Sequence, residues 1–342
     1  MIELTDEQEQ RARTLHEESL VIDATAFSYT LESPYYERLK AGGVDAEVIT
    51  AAYEDNFESA IRKIDAIVNT VERNPSRFSM AYTIQDILHI KKQGKVAIVL
   101  GFQDTKPVGE DLTFLRTFYR LGVRVMQLTY TGGNMIGDGC GERTNRGLTF
   151  SGIEIVEEMN RLGMIVDLGH CGDATTMDGI KYSKMTPIIS HANVRTLCNT
   201  MRNKSDEQIK ALGKRGGVMG VTPLPTFVQR ERRPTIDDLL DHIEYIIKLI
   251  GVDHVGIGLD FIEKMQESKV IFPASLIWRT RRPDVFGTVD DFTDTPFAEG
   301  IESVSKLPNI TRGLLARGYS DEEIRKVLGG NWLRVFKEIW GA

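Results

Sequence analysis

Cysteine is scarce in this chain of 342 residues: there are three, Cys140, Cys171 and Cys198. They are odd in number, widely spaced and never paired as C-x-x-C. A disulfide framework is not expected from that pattern, and a reducing cytoplasm fits it. Excess positive charge is lacking as well. The chain has 42 Lys+Arg against 49 Asp+Glu, a net charge of −7. Phosphate backbones are bound by clustered cations, so nucleic acid is excluded as an expected partner. No apolar run reaches the roughly 18 residues of a membrane span. The opening MIELTDEQEQRARTLHEES has no apolar stretch behind a basic start and does not read as a secretory signal. The closing FKEIWGA carries no lipidation box. Internal repeats, low-complexity linkers and a G-x-G-x-x-G or phosphate loop after a strand are all missing.

What is present is 41% apolar and 27% charged residues, the balance of a globular protein with a large core. β-type runs alternate with helical stretches from end to end. The strands are expected at 20–27, 44–50, 95–102, 123–130, 163–170, 186–192, 217–223 and 254–261. Most are near-continuous apolar runs, as in parallel strands buried on both faces. Helices are expected at 57–73, before Gly122, before Gly163, at 205–217, at 235–251, and in two segments near 320–329 and 331–340. Ser205 with Gln208 three residues on is a capping-box pattern. Eight strands with intervening helices predict a single (β/α)8 TIM barrel over 1–342. An open doubly wound sheet is the weaker alternative, because the phosphate loops are missing. The stretch 262–298 breaks the rhythm after the last strand and is read as a lid or an interface. Deletion of 275–290 is expected to abolish ligand binding and leave the fold intact.

In such barrels the site lies at the C-terminal strand ends. There the sequence places Asp23 and Thr25, Gln103 and Asp104, Tyr130, Asp167 and His170, His191 and Asn193, Thr222, and Asp260. Two of six histidines thus close adjacent strands, about 4.8 Å apart, where two imidazoles at one height can share an ion. His and Asp suit a divalent metal such as zinc, with Asp260 as proton acceptor from a bound water. A single strand-end histidine is more often structural, and the paired pattern is what lifts this one. Asp167 reads as a buried helper that orients a neighbour. Cys171, beside His170, reads first as a small semi-buried residue. The RTRRP cluster at 279–283 reads as a solvated charge run, and Arg202 as a cap or an ion-pair partner.

Several segments then become familiar. GDGCGERTNRGLTFSGIEIVEEMNRLGMIVDLGHCGDATTMDGIKYSKMTPIISHANVRTLCNTMRNKSDE, GIGLDF at 256–261 and PNITRGLLARGYSDEEIRKVLGGNWLRVF at 308–336 resemble the membrane (renal) dipeptidase family of metallopeptidases. The resemblance runs from about residue 20 to the end. It implies a (β/α)8 barrel with a two-metal, usually dizinc, site that hydrolyses dipeptides and related small amides, often in a homodimer. It implies that His170 and His191 hold one metal. Asp260 holds the other and acts as base, and Arg202 contacts the substrate carboxylate, as bidentate guanidinium geometry allows.

Four positions depart from the family pattern. The first-strand ligand positions of D-G-H-x-D are Thr25 and Phe27, within DATAF. The bridging glutamate is Gln103, and the substrate-holding histidine is Tyr130. Phenylalanine cannot ligate, and a neutral amide is a poor bridge between cations. The expectation is therefore one divalent ion, zinc first, held by His170, His191, the Gln103 oxygen and Asp260. Asp23 is a weaker substitute ligand. Tyr130, Asn134 and Arg202 are the expected substrate contacts. The expected function is hydrolysis of a dipeptide or related small amide. The alternative is a barrel that lost this chemistry and works as a metal-free enzyme of another class or a small-molecule binding protein.

Overall fold

The uninterrupted apolar run VAIVLGF forms a strand buried along its whole length, Val96–Phe102, at the centre of a parallel sheet. The computed structural model describes residues 3–271, 273–295 and 297–341. Its strands are β1 (Ile22–Phe27), β2 (Ala46–Ala52), β3 (Phe78–Met80), β4 (Val96–Phe102), β5 (Val123–Gln127), β6 (Ile165–Asp167), β7 (Met219–Val221) and β8 (Val255–Ile257). The order β1-β2-β4-β5-β6 makes one wall, with β3 beside the start of β4, and β7 pairs with β8. The stretch around 188–189 fills the gap through single parallel bridges, Asp167 to Ile188 and Ile189 to Met219. Asp260 N–H donates to the Thr25 carbonyl at 3.0 Å and joins the end of β8 back to β1. The (β/α)8 barrel read from the sequence is thus the architecture.

Seven expected strands appear as strands, and 186–192 contributes bridged residues. The run 163–170 stops early for a physical reason. Asp167 Oδ1 accepts from Gly169 N–H (3.1 Å) and Ser190 N–H (2.8 Å), so a side chain replaces the ladder there. His170 therefore sits in the turn beyond β6. Tyr130 likewise lies past the end of β5, and β3 is a strand the sequence pattern did not announce.

The outer helices follow their sequence signals. Phe57–Arg73 is capped by Asn56 and buries Ala60, Ile64, Ile67 and Val71, one helical stripe. Each large apolar side chain so buried contributes ~1.5–3 kcal/mol. Ser205 and Gln208 form the expected capping box, and Gly163, at φ 78°, ends the helix Phe150–Leu162 in a left-handed turn. No helix among the described residues is long and apolar enough to cross a membrane.

On Phe150–Leu162 the carboxylate of Glu158 joins two guanidinium groups, Arg161 Nε at 2.6 Å and Arg116 Nε at 2.5 Å. The Arg161 bonds, helped by Arg116 and opposed by burial, hold Glu158 down at about 2. A depressed carboxylate stabilises the fold above its unfolded pKa and loses that contribution as pH falls through the folded value. Glu158→Gln should therefore cost roughly 1 kcal/mol at pH 7. The gap to wild type should close as pH falls from 4.5 toward 2; denaturant melts at both ends of that window measure it.

The segment after β8 is folded, not loose. It forms the short helices Glu263–Ser268, Pro273–Arg281, Pro283–Phe286 and Val289–Asp294. Val285 and Phe286 are buried in the core, and Arg230 bonds the carbonyls of Asp284 and Val285. Excision of 275–290 would therefore remove core, which corrects the expectation that it leaves the fold intact.

Candidate functional site

His170 and His191 meet at the barrel mouth, nitrogen to nitrogen: their Nε2 atoms are 3.0 Å apart. Their far sides decide which atoms carry protons. Ser190 Oγ donates to Asp167 Oδ2 at 2.6 Å and lies 2.7 Å from His191 Nδ1. Thr25 Oγ1 donates to the Ala24 carbonyl and lies 3.1 Å from the same nitrogen. Both hydroxyl hydrogens are committed elsewhere, so both oxygens accept, and His191 carries its proton on Nδ1. Its Nε2 lone pair faces the mouth. His170 Nε2 then supplies the proton between the rings, and its Nδ1, 3.3 Å from Thr131 Oγ1, accepts. Burial pushes both imidazoles well below the ordinary histidine range, and the Arg202 charge adds to this. Two neutral imidazoles sharing one proton are poised to share a cation instead.

Asp260 follows β8 with a left-handed backbone, φ 51°. Such a conformation is uncommon outside glycine and clusters at functional positions. The carboxylate is buried; Oδ2 lies 3.9 Å from His191 Nε2, and Oδ1 has no hydrogen-bond partner. Burial raises it to about 7, against the pull of Arg202, Gln103 and Arg279. At neutral pH it is thus poised to exchange a proton. The Tyr130 ring stacks on His170 with centroids 4.4 Å apart. Burial, with Asp260 nearby, holds the phenol protonated.

The structure brings together His170, His191, Asp260, Tyr130 and, in part, Gln103. The Gln103 amide donates to Thr50 Oγ1 at 2.9 Å and favours the charged Asp260, so it serves there as a donor. Three expectations meet a different geometry. Asn134 is turned into its own loop: Nδ2 donates to Asp104 Oδ1 (2.7 Å) and the Leu128 carbonyl (2.9 Å), and Oδ1 accepts from Ile136 and Gly137 N–H. No group remains on it for a substrate. Arg202 is fully buried, and its terminal nitrogens donate to the carbonyls of Gly169 (2.9 Å) and His191 (2.8 Å). Asp23 Oδ1 accepts from Thr25 and Leu259 N–H and ties β1 to the end of β8. Asp167 is the buried helper it was read as. Burial pushes the Cys171 thiol up to about 11, so it is no thiolate nucleophile.

Sequence reasoning missed Ser190, whose hydroxyl fixes the His191 tautomer, and Thr131, whose hydroxyl lies against His170 Nδ1. Ser190 stands next to His191 in S-H, the only local signal. Arg279, read as part of a solvated charge run, is 6% exposed. It lines a cavity of about 50 Å³ with Phe27, Tyr130, His170, Phe227, Asp260 and Trp278. That space is far below the ~300 Å³ of a typical small-molecule pocket and is too small for a dipeptide as it stands.

Strand-end groups around a histidine pair and an aspartate define the class: a (β/α)8 barrel of the metal-dependent hydrolase type. The chain belongs to the membrane dipeptidase family (peptidase family M19), whose profile matches residues 9–270 and 283–341. It is 28% identical over 292 residues to dipeptidase tcpJ of Claviceps purpurea, across 84% of this chain and 62% of that protein. It is 31% identical over 294 residues to dipeptidase verJ of Clonostachys rogersoniana, across 85% of this chain and 68% of that one. The chain therefore spans about two thirds or less of the length of these relatives. Among solved structures, an amidohydrolase from Pseudomonas aeruginosa is similar at TM-score 0.87 and 32% identity, covering 97% of this chain and 99% of that one. A metallo peptidase from Rhodobacter sphaeroides, liganded with a phosphinate mimic of the dipeptide L-Ala-D-Ala, shares the fold at TM-score 0.78 and 20% identity, covering 94% of this chain and 100% of that one.

The family implies metal, and the residues here set its limit. Among the described residues no three His, Cys, Asp or Glu side chains form a ready metal cluster. Thr25 Oγ1 is engaged with Ala24 and His191, and Phe27 has no donor atom, so a second ion lacks its first-strand anchors. The histidine pair and Asp260 do fit an ion. Separations of 3.0 and 3.9 Å among His170, His191 and Asp260 are spanned by two metal–ligand bonds of about 2.0–2.2 Å each. The orphaned Asp260 Oδ1 marks an incomplete shell at that place.

Proposed function

We propose that this chain hydrolyses a dipeptide or related small amide with one bound divalent cation, zinc being the first candidate. The observation that carries the reading is the pairing of the His170 and His191 nitrogens beside Asp260, whose Oδ1 has no hydrogen-bond partner. Relatives named dipeptidases and a similar structure named an amidohydrolase support the reaction class. When bound, a divalent cation lowers the pKa of water and polarises the scissile carbonyl. Asp260 accepts the proton of the attacking water and returns it to the leaving nitrogen. The hydroxyls of Ser190 and Thr25 hold His191 in the tautomer that presents Nε2. The protonated Tyr130 phenol donates to the substrate, where a neutral donor stabilises developing charge. Phe27, Phe227 and Trp278 line the cavity and exclude bulk water.

Purified protein should take up about one equivalent of zinc, manganese or cobalt by elemental analysis. It should cleave members of a dipeptide panel, and a chelator should abolish the activity. No bound metal together with no change of rate on adding these ions would sink the reading. Two tightly held ions per chain would overturn its one-cation part.

A further inference from the structure

Three cations are buried near the barrel mouth: Arg202, Lys204 and Arg279. Two are turned toward the protein's own backbone, although Arg202 Nε is left without a partner. Both terminal nitrogens of Arg202 donate to backbone carbonyls, and Lys204 donates to the Cys171 carbonyl (2.9 Å) and Thr176 Oγ1 (3.1 Å). Neither lines the cavity. Arg279 does. Its Nη1 donates to the Phe286 carbonyl, and its Nε reaches Ser275 Oγ at a long 3.4 Å. The carboxylates that act on it, Asp291 and Asp260, do so through space without a direct ion pair. The flat guanidinium lies 4.3 Å from the Phe292 ring centroid, which holds its plane in place. Burial costs it enough to pull it from the usual arginine range to about 10. A desolvated cation with no carboxylate in direct contact gains from an anion delivered to it.

The rest of the cavity wall is mostly apolar, its polar members being Asp260, His170, Tyr130, Thr131 and Ser275. The helix that carries Arg279, Pro273–Arg281, falls within the stretch between the two matched parts of the family profile.

We propose that Arg279 anchors the carboxylate of the substrate, the role that the family resemblance implies for Arg202. The substrate is then a small molecule with an apolar body and one carboxylate, such as the acidic end of a dipeptide or of an N-acylated amino acid. This rests on the hydrolase reading above for the term substrate, but not for the binding itself. The anchoring end is set by Arg279 and the reacting end by Asp260 and the histidine pair. The 50 Å³ cavity holds no dipeptide, so the helix Pro273–Arg281 moves outward to admit one and brings Arg279 back onto it.

The test is calorimetric titration with N-acetyl-leucine and its carboxamide, in the presence of zinc. Wild type should bind the carboxylate roughly tenfold or more tighter than the amide. Arg279→Gln should erase that preference and leave amide binding nearly unchanged, and Arg279→Lys should keep part of it. Arg202→Lys should lower the melting temperature while keeping the preference. Equal binding of acid and amide to wild type, no binding of the acid at millimolar concentration, or a preference that survives Arg279→Gln overturns the proposal. If Arg279→Gln fails to fold, Arg279→Lys and the wild-type preference decide. The two readings fail separately. A preference lost with Arg279 in a protein that cleaves no dipeptide sinks only the hydrolase reading. Cleavage with an Arg279-independent preference sinks only the anchor.

Discussion

Asp260→Asn is expected to lower kcat on a cleaved dipeptide by ~10²–10⁴-fold, the usual worth of a positioned general base. The same change should leave the melting temperature unchanged or raise it. The two effects have one cause. Asp260 is a buried carboxylate whose Oδ1 has no partner and whose Oδ2 is 3.9 Å from the nearest imidazole. A charge held in that state costs stability, and an amide of the same shape removes the cost. An uncompensated group retained at the mouth of a barrel, on a left-handed backbone, is what a reacting group looks like before its substrate and ion arrive. Steady-state rates and a thermal melt of the same preparation check both halves. A variant that is destabilised by several degrees and still turns over within a few-fold of wild type would recast Asp260 as a structural residue.

The barrel was legible because its strands are written as apolar runs bounded by helix signals, and 57–73 and 205–217 carry their stripes and caps in the sequence, 331–340 its stripe. His170, His191 and Asp260 were legible because strand ends point to the mouth. The residues that tune them were not. Ser190 and Thr131 are hydroxyls among many, and only the 2.7 Å and 3.3 Å approaches to imidazole nitrogens single them out. Arg279 stands in RTRRP, a string that reads as surface because periodicity cannot be seen over the short helices Pro273–Arg281 and Pro283–Phe286. Its neighbour Arg281 is exposed and Arg282 pairs with Asp284, so the run divides between water and cavity. Asn134 and Arg202 went the other way. Their residue types suit a substrate, but local backbone groups reached them first.

Gly258→Ala should be among the most damaging single substitutions in the chain, at ~3 kcal/mol or more of stability. A methyl group at Gly258 would stand 1.9 Å from the Ser190 carbonyl oxygen and 3.1 Å from His191 Cβ. Gly220 meets the same carbonyl at 2.0 Å, and Gly169 would meet Gln127 Oε1 at 2.4 Å and the His191 ring at 3.2 Å. None of the three has a positive φ, so the requirement is space and not backbone freedom. Gly94 is the control: it has φ +69° but open space, so alanine there should cost only the ~1–2 kcal/mol of a left-handed backbone. Denaturant melts of the two variants side by side measure the difference. If Gly258→Ala melts like Gly94→Ala, the contact at Ser190 is soft and the packing argument fails. If it folds at all, its Ser190 must shift, and with it the hydroxyl that sets the His191 tautomer. Any surviving protein should then lose metal uptake out of proportion to its loss of stability. Three glycines around one histidine let the turn beyond β6, the 186–191 stretch and the residues just past β8 approach closely enough to bring the two imidazole nitrogens to 3.0 Å. The site is in that sense built from missing side chains, and a methyl group added behind the histidine would displace the Ser190 and His191 backbone that holds it.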